Sequence, residues 1–176
     1  MARQYENIEM TGATQRDSVA YEMVADYTSV GKTVVLPLRG FSMRPFLEDN
    51  RDKALLAKVP RTLRRGDVIM ARLARHGSFA LHRITRVEGD MIEMCGDGNI
   101  TPEVVRRQDV IAIALGFYRK GSRKLDSVDA LSYRLYWHLW LMLKPLRRWL
   151  LLVWKTYRYP RQMFATLQDR IKRKTT

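Results

Sequence analysis

The chain has 176 residues, 46% of them hydrophobic, and a single cysteine, Cys95. That length and apolar content suit one domain with a core of its own and exclude a disordered chain, while a lone cysteine excludes an intramolecular disulfide and fits a reducing compartment or a fold that needs no staple. The net charge is +14, but residues 119 to 176 hold 15 Lys and Arg against 3 Asp and Glu, so +12 of it belongs to the tail, which points to an anionic surface, either lipid or nucleic acid.

The opening stretch, MARQYENIEMTGATQRD, is polar and no apolar run of signal-peptide length follows it. The expectation is a segment that neither exports nor anchors the protein. Within residues 1–31, the run RDSVAYEMVADYTS puts Val19, Met23, Val24 and Tyr27 near one helical face, and Gly31 supplies a stop. The pattern then changes. TVVLPL, KALLAKV, DVIMARL, FALHRITRV, MIEMC and VIAIALGFY are short runs rich in Val, Ile and Leu, each bounded by Gly, Pro, Asp or Asn. Six such runs predict a mainly β, mostly antiparallel domain over residues 32–119. Residues 120–127, KGSRKLDS, read as a linker. Residues 128–176 read as an amphipathic, basic helical extension.

Within the β region, LPLRGFSMRPFLEDN places Ser42 just after Gly40 and three residues before Pro45. A serine there either closes a turn on its own backbone or is held out on a bend as a nucleophile. Gly40 is expected to allow close backbone approach, Met43 to fill the apolar floor and Pro45 to fix the exit. A nucleophilic serine needs a base, and the chain has three histidines. His76 sits in the polar turn ARHGS and reads as a surface residue. His138 lies in the apolar tail. His82 lies inside the strand FALHRITRV, where a histidine is either a satisfied core residue or a catalyst.

The order of the motifs decides between these readings. Gly40-Phe41-Ser42-Met43-Arg44-Pro45, then Arg65-Gly66-Asp67-Val68-Ile69, then His82-Arg83-Ile84, then Gly96-Asp97-Gly98-Asn99 resembles the four boxes of the signal peptidase I and SOS-repressor-type serine peptidases. Histidine at the base position is the mark of the endoplasmic-reticulum-type branch. The resemblance covers roughly residues 32 to 119. It implies Ser42 as nucleophile, whose N–H also serves the oxyanion hole, and His82 as general base. It implies Asp97 as the residue that orients the imidazole. Glu103, six positions on, is the alternative, because some members carry an acidic residue there. Neither cofactor nor metal is implied. The substrates implied are extended peptide segments that pair as a strand beside the cleft, with small side chains near the cut.

The membrane-bound members have a spanning helix before the serine box; here that place is too charged to span. The apolar runs come later, LYWHLWLML and WLLLVW, separated by Lys144, Pro145, Arg147 and Arg148. On a helical wheel the cations from Arg134 to Arg158 share about half the circumference. The expectation is two amphipathic helices lying in a membrane interface and joined near Lys144-Pro145, with Trp137, Trp140, Trp149 and Trp154 at the headgroup level. The alternative is a hairpin packed on the β domain or on a second copy. The last stretch, RQMFATLQDRIKRKTT, reads as a short helix with a basic end. The overall expectation is a peptidase peripheral on the cytoplasmic face of an anionic membrane, removing leaders from small exported peptides, with nucleic acid not a partner. A self-cleaving regulator and a non-enzymatic basic binding module are the other classes.

Overall fold

The computed structural model describes residues 15–73, 78–147 and 149–153. His76, Trp154 and the expected C-terminal helix lie outside the described residues. The chain forms two compact units, Met1–Leu141 and Met142–Thr176.

The first unit is mainly β, as the punctuated apolar runs predict. Its elements are α1 (Gln15–Ser29), β1 (Val34–Pro37), β2 (Lys53–Ala57), β3 (Val68–Arg72), β4 (Phe79–Glu88), β5 (Met91–Cys95), β6 (Glu103–Arg106), β7 (Val110–Tyr118), β8 (Leu125–Ser127) and α2 (Leu131–Met142). Every strand pairing is antiparallel, in the order β1-β2-β7-β3-β4-β5-β6, with β8 on β7. The sheet is a curled half-barrel with a core on each face. Val68, Met70, Ala112, Ala114, Phe117 and Leu36 line one face with Val24 of α1 and Tyr133 of α2. Ile69, Ala71, Ile84, Ile92, Met94 and Val105 line the other. Alternate residues of a strand point to opposite faces, which is why neighbours such as Ile69 and Met70 fall into different cores.

The helix α1 stops where expected. Gly31 N–H donates to Thr28 and Lys32 N–H to Tyr27, the two bonds of a Schellman turn. Two strands escape the apolar pattern. β6 follows Pro102, and β8 lies inside the expected linker, so residues 120–127 are partly sheet.

The tail expectation is corrected for its first helix. Tyr133, Tyr136, Trp137, Trp140 and Leu141 recur at helical spacing, and this aromatic face packs onto the β domain. Tyr133 is buried, with Phe46 and Phe117 rings at 5.4 and 5.9 Å. Trp137 and Trp140 are half-buried against the domain, Trp137 on the apolar core and Trp140 through its indole N–H to the Asp97 carbonyl. The opposite face, Leu131, Leu135, Leu139 and Met142, is exposed. The helix breaks where Pro145 predicts. A 3₁₀ turn spans Lys144–Leu146, and the second unit exposes Trp149 and Val153. Among the described residues no helix is long and apolar enough to cross a membrane.

Candidate active site

The loop between β1 and β2 carries Ser42. Its apolar residues Met43, Phe46 and Leu47 insert into the core and leave Ser42 half-buried above them. Gly40 has φ +85°, and nothing lies within 4 Å of where its Cβ would be. The glycine serves a left-handed bend and not a close approach, which corrects the sequence expectation. The Gly40 amide donates to Asp49 at 2.7 Å, and Arg44 pairs with Glu48 across the loop. The Arg44–Pro45 peptide is cis.

Buried Asp52 anchors the loop's far end. It accepts from Arg51 and from the amides of Glu48 and Lys120, at 2.7 to 2.9 Å. Burial pushes its carboxyl up, but these donors more than offset it and hold the group below its ordinary value.

Close approach is instead needed at the fourth box. The turn after β5 lies flat against the serine loop, and the Gly98 amide donates to the Ser42 carbonyl at 2.7 Å. A Cβ on Gly96 would meet that same carbonyl oxygen at 2.3 Å, and one on Gly98 would meet the Arg44 oxygen at 2.9 Å. Any side chain at either position pushes the serine loop away.

His82 reaches the site through register. Met94 pairs with Glu103 on β6 and Ile84 with Met94 on β5, so Glu103, Met94 and Ile84 share a face. His82 is two residues from Ile84 and shares it too. The curl closes the remaining distance: His82 Nδ1 lies 2.7 Å from Glu103 Oε2. A carboxylate only accepts, so Nδ1 carries the hydrogen and Nε2 is the basic nitrogen. Burial lowers the imidazole pKa below its ordinary 6.5, and Glu103, with a smaller contribution from Asp97, offsets part of that shift.

Asp97 does not take the place expected of it. Its two oxygens accept from Arg83 Nε and Nη2 at 2.9 and 2.7 Å, and both side chains are fully buried. Arg83 Nη1 donates to the Gly66 carbonyl and to Tyr133 Oη, at 3.1 and 2.8 Å. The second, third and fourth boxes thus converge on one guanidinium. Burial opposes this charge, and the Asp97 carboxylate reverses the effect and raises the Arg83 pKa. Of the two acidic residues left open by the sequence, Glu103 holds the ring and Asp97 acts on it only as a nearby charge.

Ser42 and His82 line one cavity of about 250 Å3, together with Leu36, Leu38, Met70, Phe79, Leu81 and Tyr21 of α1. β5 pairs with β4 only from Arg83 onward. Phe79 to His82 therefore pair with β3 on one side and turn their other edge to the cavity. Sequence reasoning missed Tyr21 and the α2 aromatics. For the latter the signal was present, as aromatics at 133, 136, 137 and 140 with the spacing of a buried face. Among the described residues no cluster of His, Cys, Asp and Glu could hold a metal ion. No family model matches the chain, and no curated protein matches it.

Proposed function

We propose that the chain is a serine endopeptidase that cuts extended peptide segments at a membrane surface. One observation carries the reading: His82, fixed at Nδ1 by Glu103, lines the same cavity as Ser42. The ordered boxes that resemble the signal peptidase clan support it. The substrate lies as a strand against the open edge of Phe79–His82, since an extended chain satisfies its backbone by strand addition. The small, apolar-floored cavity suits small side chains beside the cut.

His82 Nε2 takes the Ser42 hydroxyl proton as Oγ bonds to the scissile carbonyl carbon. The backbone N–H of Ser42 donates to the resulting oxyanion. When the C–N bond breaks, His82 returns the proton to the leaving amine, and Ser42 carries the acyl group. Water then attacks that ester with His82 again as base, which frees the acid and restores the serine. Arg83 is excluded as base, because arginine stays protonated and this one is bound to Asp97.

A membrane surface suits the exposed Leu131, Leu135, Leu139 and Met142 of α2 in a chain whose residues 119–176 carry +12. On the cytoplasmic face the substrates are leaders of small exported peptides rather than secretory signals, whose cut lies across the membrane.

The test is cleavage of an extended peptide library rich in Ala, Gly and Ser, read by mass spectrometry. The wild-type chain should cut it, whereas Ser42→Ala and His82→Ala, with unchanged circular dichroism, should not. Full cleavage by Ser42→Ala would sink the nucleophile. A chain that cuts itself and no peptide would be a self-cleaving regulator.

A further inference from the structure

The aromatic face of α2 ends on the turn that holds the serine loop. Trp140 Nε1–H donates to the Asp97 carbonyl at 3.0 Å. Tyr136 Oη–H donates to Asp97 Oδ2 at 3.2 Å, and Tyr133 accepts from the Arg83 that grips the same carboxylate. The Tyr136 ring stacks on Phe46 of the serine loop at 4.6 Å and on Trp140 at 6.0 Å. One residue beyond Asp97, the Gly98 amide donates to the Ser42 carbonyl. The path from the helix to the nucleophile is therefore one residue and two hydrogen bonds long, and both bonds fall on backbone atoms of one tight turn.

We infer that Tyr136 and Trp140 are positioning residues for Ser42, acting through Asp97 and Gly98. Neither touches the cavity. Their bonds fix the Asp97–Gly98 turn, and that turn fixes the Ser42 carbonyl and with it the direction of the hydroxyl. Nucleophilic attack is sensitive to placement of the reacting atoms, and a misplacement of about 1 Å can cost about 10²-fold in rate. A loosened turn should thus slow the attack without altering how the peptide strand binds, and without touching the His82–Glu103 pair. The inference rests on the peptidase reading, but the clamp itself can be measured apart from activity.

The experiment uses the full chain with Trp140→Phe, with Tyr136→Phe, and with Ser132→Ala as a control on the exposed side of α2. Hydrogen exchange of the Gly98 amide reads the clamp. The rate at which a fluorophosphonate labels the serine reads the hydroxyl. For Trp140→Phe, Gly98 exchange should quicken and labelling should slow, each by about 5- to 10-fold, the size of one neutral hydrogen bond. Tyr136→Phe should do the same more weakly. The peptide KM and the midpoint of the acid limb should stay at wild-type values, and Ser132→Ala should match wild type throughout. Unchanged Gly98 exchange in Trp140→Phe would overturn the clamp. Faster exchange with undiminished labelling would overturn the positioning role. A wild-type chain that neither cuts the peptide library nor takes the label would remove the peptidase reading, and the positioning role with it, even if Gly98 still responded to Trp140→Phe.

Discussion

At the scale of single residues, the two carboxylates near His82 do different work, and substitution should separate them. Glu103→Gln keeps the shape but removes the charge that raises the His82 pKa. Turnover should fall by about 10²- to 10⁴-fold, the range for a disturbed general base. The residual activity should have its acid limb at lower pH, because burial then acts with less opposition. In the wild type that limb should itself lie below the ordinary imidazole value, because burial lowers the His82 pKa and a general base works in its neutral form. Stability follows the same sign: the contribution of His82 is full above 6.5 and lost as pH falls through its lowered value. Asp97→Asn should instead damage the fold, by about 3–5 kcal/mol, because it leaves the Arg83 charge buried without its anion. Urea unfolding and a pH–rate profile on both variants check this. A stable Asp97→Asn with a shifted acid limb would reverse the assignment. The order of the boxes singles out Ser42 and His82, and the structure sets both on one cavity. The choice between Asp97 and Glu103 was not legible there, because it depends on which carboxylate a buried guanidinium captures, and sequence does not say that Arg83 is the innermost cation.

The elements were legible where burial writes a pattern. Six strands and α1 follow from apolar runs and their punctuation. β6 did not, because its sequence EVVR leaves Val104 exposed at a sheet edge and offers too short an alternation. That strand carries Glu103, so the missed element and the undecided residue are one omission. The helix α1 also does more than cover the sheet. Its Tyr21 packs on Phe79, with ring centroids 5.1 Å apart, and forms part of the cavity wall. Tyr21→Ala should widen the cavity and let in larger side chains beside the cut. The expected gain in kcat/KM is about 10-fold for a residue one or two methylenes larger, with small residues cut as before. A matched peptide series in which only that residue varies would measure it. An unchanged ranking would place the cut's side chain elsewhere.

At the scale of the whole molecule, the charged tail and the outer face of α2 should act together on lipid. The chain should float much more strongly with vesicles containing phosphatidylglycerol than with neutral ones, since each basic residue near such a surface contributes about 1 kcal/mol. Salt should weaken this binding without removing it, because the exposed leucines insert as well. Leu135→Glu with Leu139→Glu should abolish the salt-resistant part and leave cleavage of a short peptide intact. Equal flotation on neutral and anionic vesicles would discard the electrostatic contribution. Absence of flotation together with a dimer in solution would give the α2 face to a second copy. The basic tail was plain from the sequence. That one face of its first helix belongs to the domain was not, because aromatic residues serve core and interface alike.

The convergence on Asp97 bears on how such a chain can change over generations. Its side chain neutralises Arg83, its carbonyl receives Trp140, and its neighbour Gly98 holds the serine loop. Positions 83, 97, 133, 136 and 140 are therefore physically coupled, and change at one should require change at another. A descendant that replaces any of them must compensate at another, so among true relatives of this chain the aromatic helix should travel with the four boxes. A protein that keeps the boxes without it must support the serine loop by a different invention.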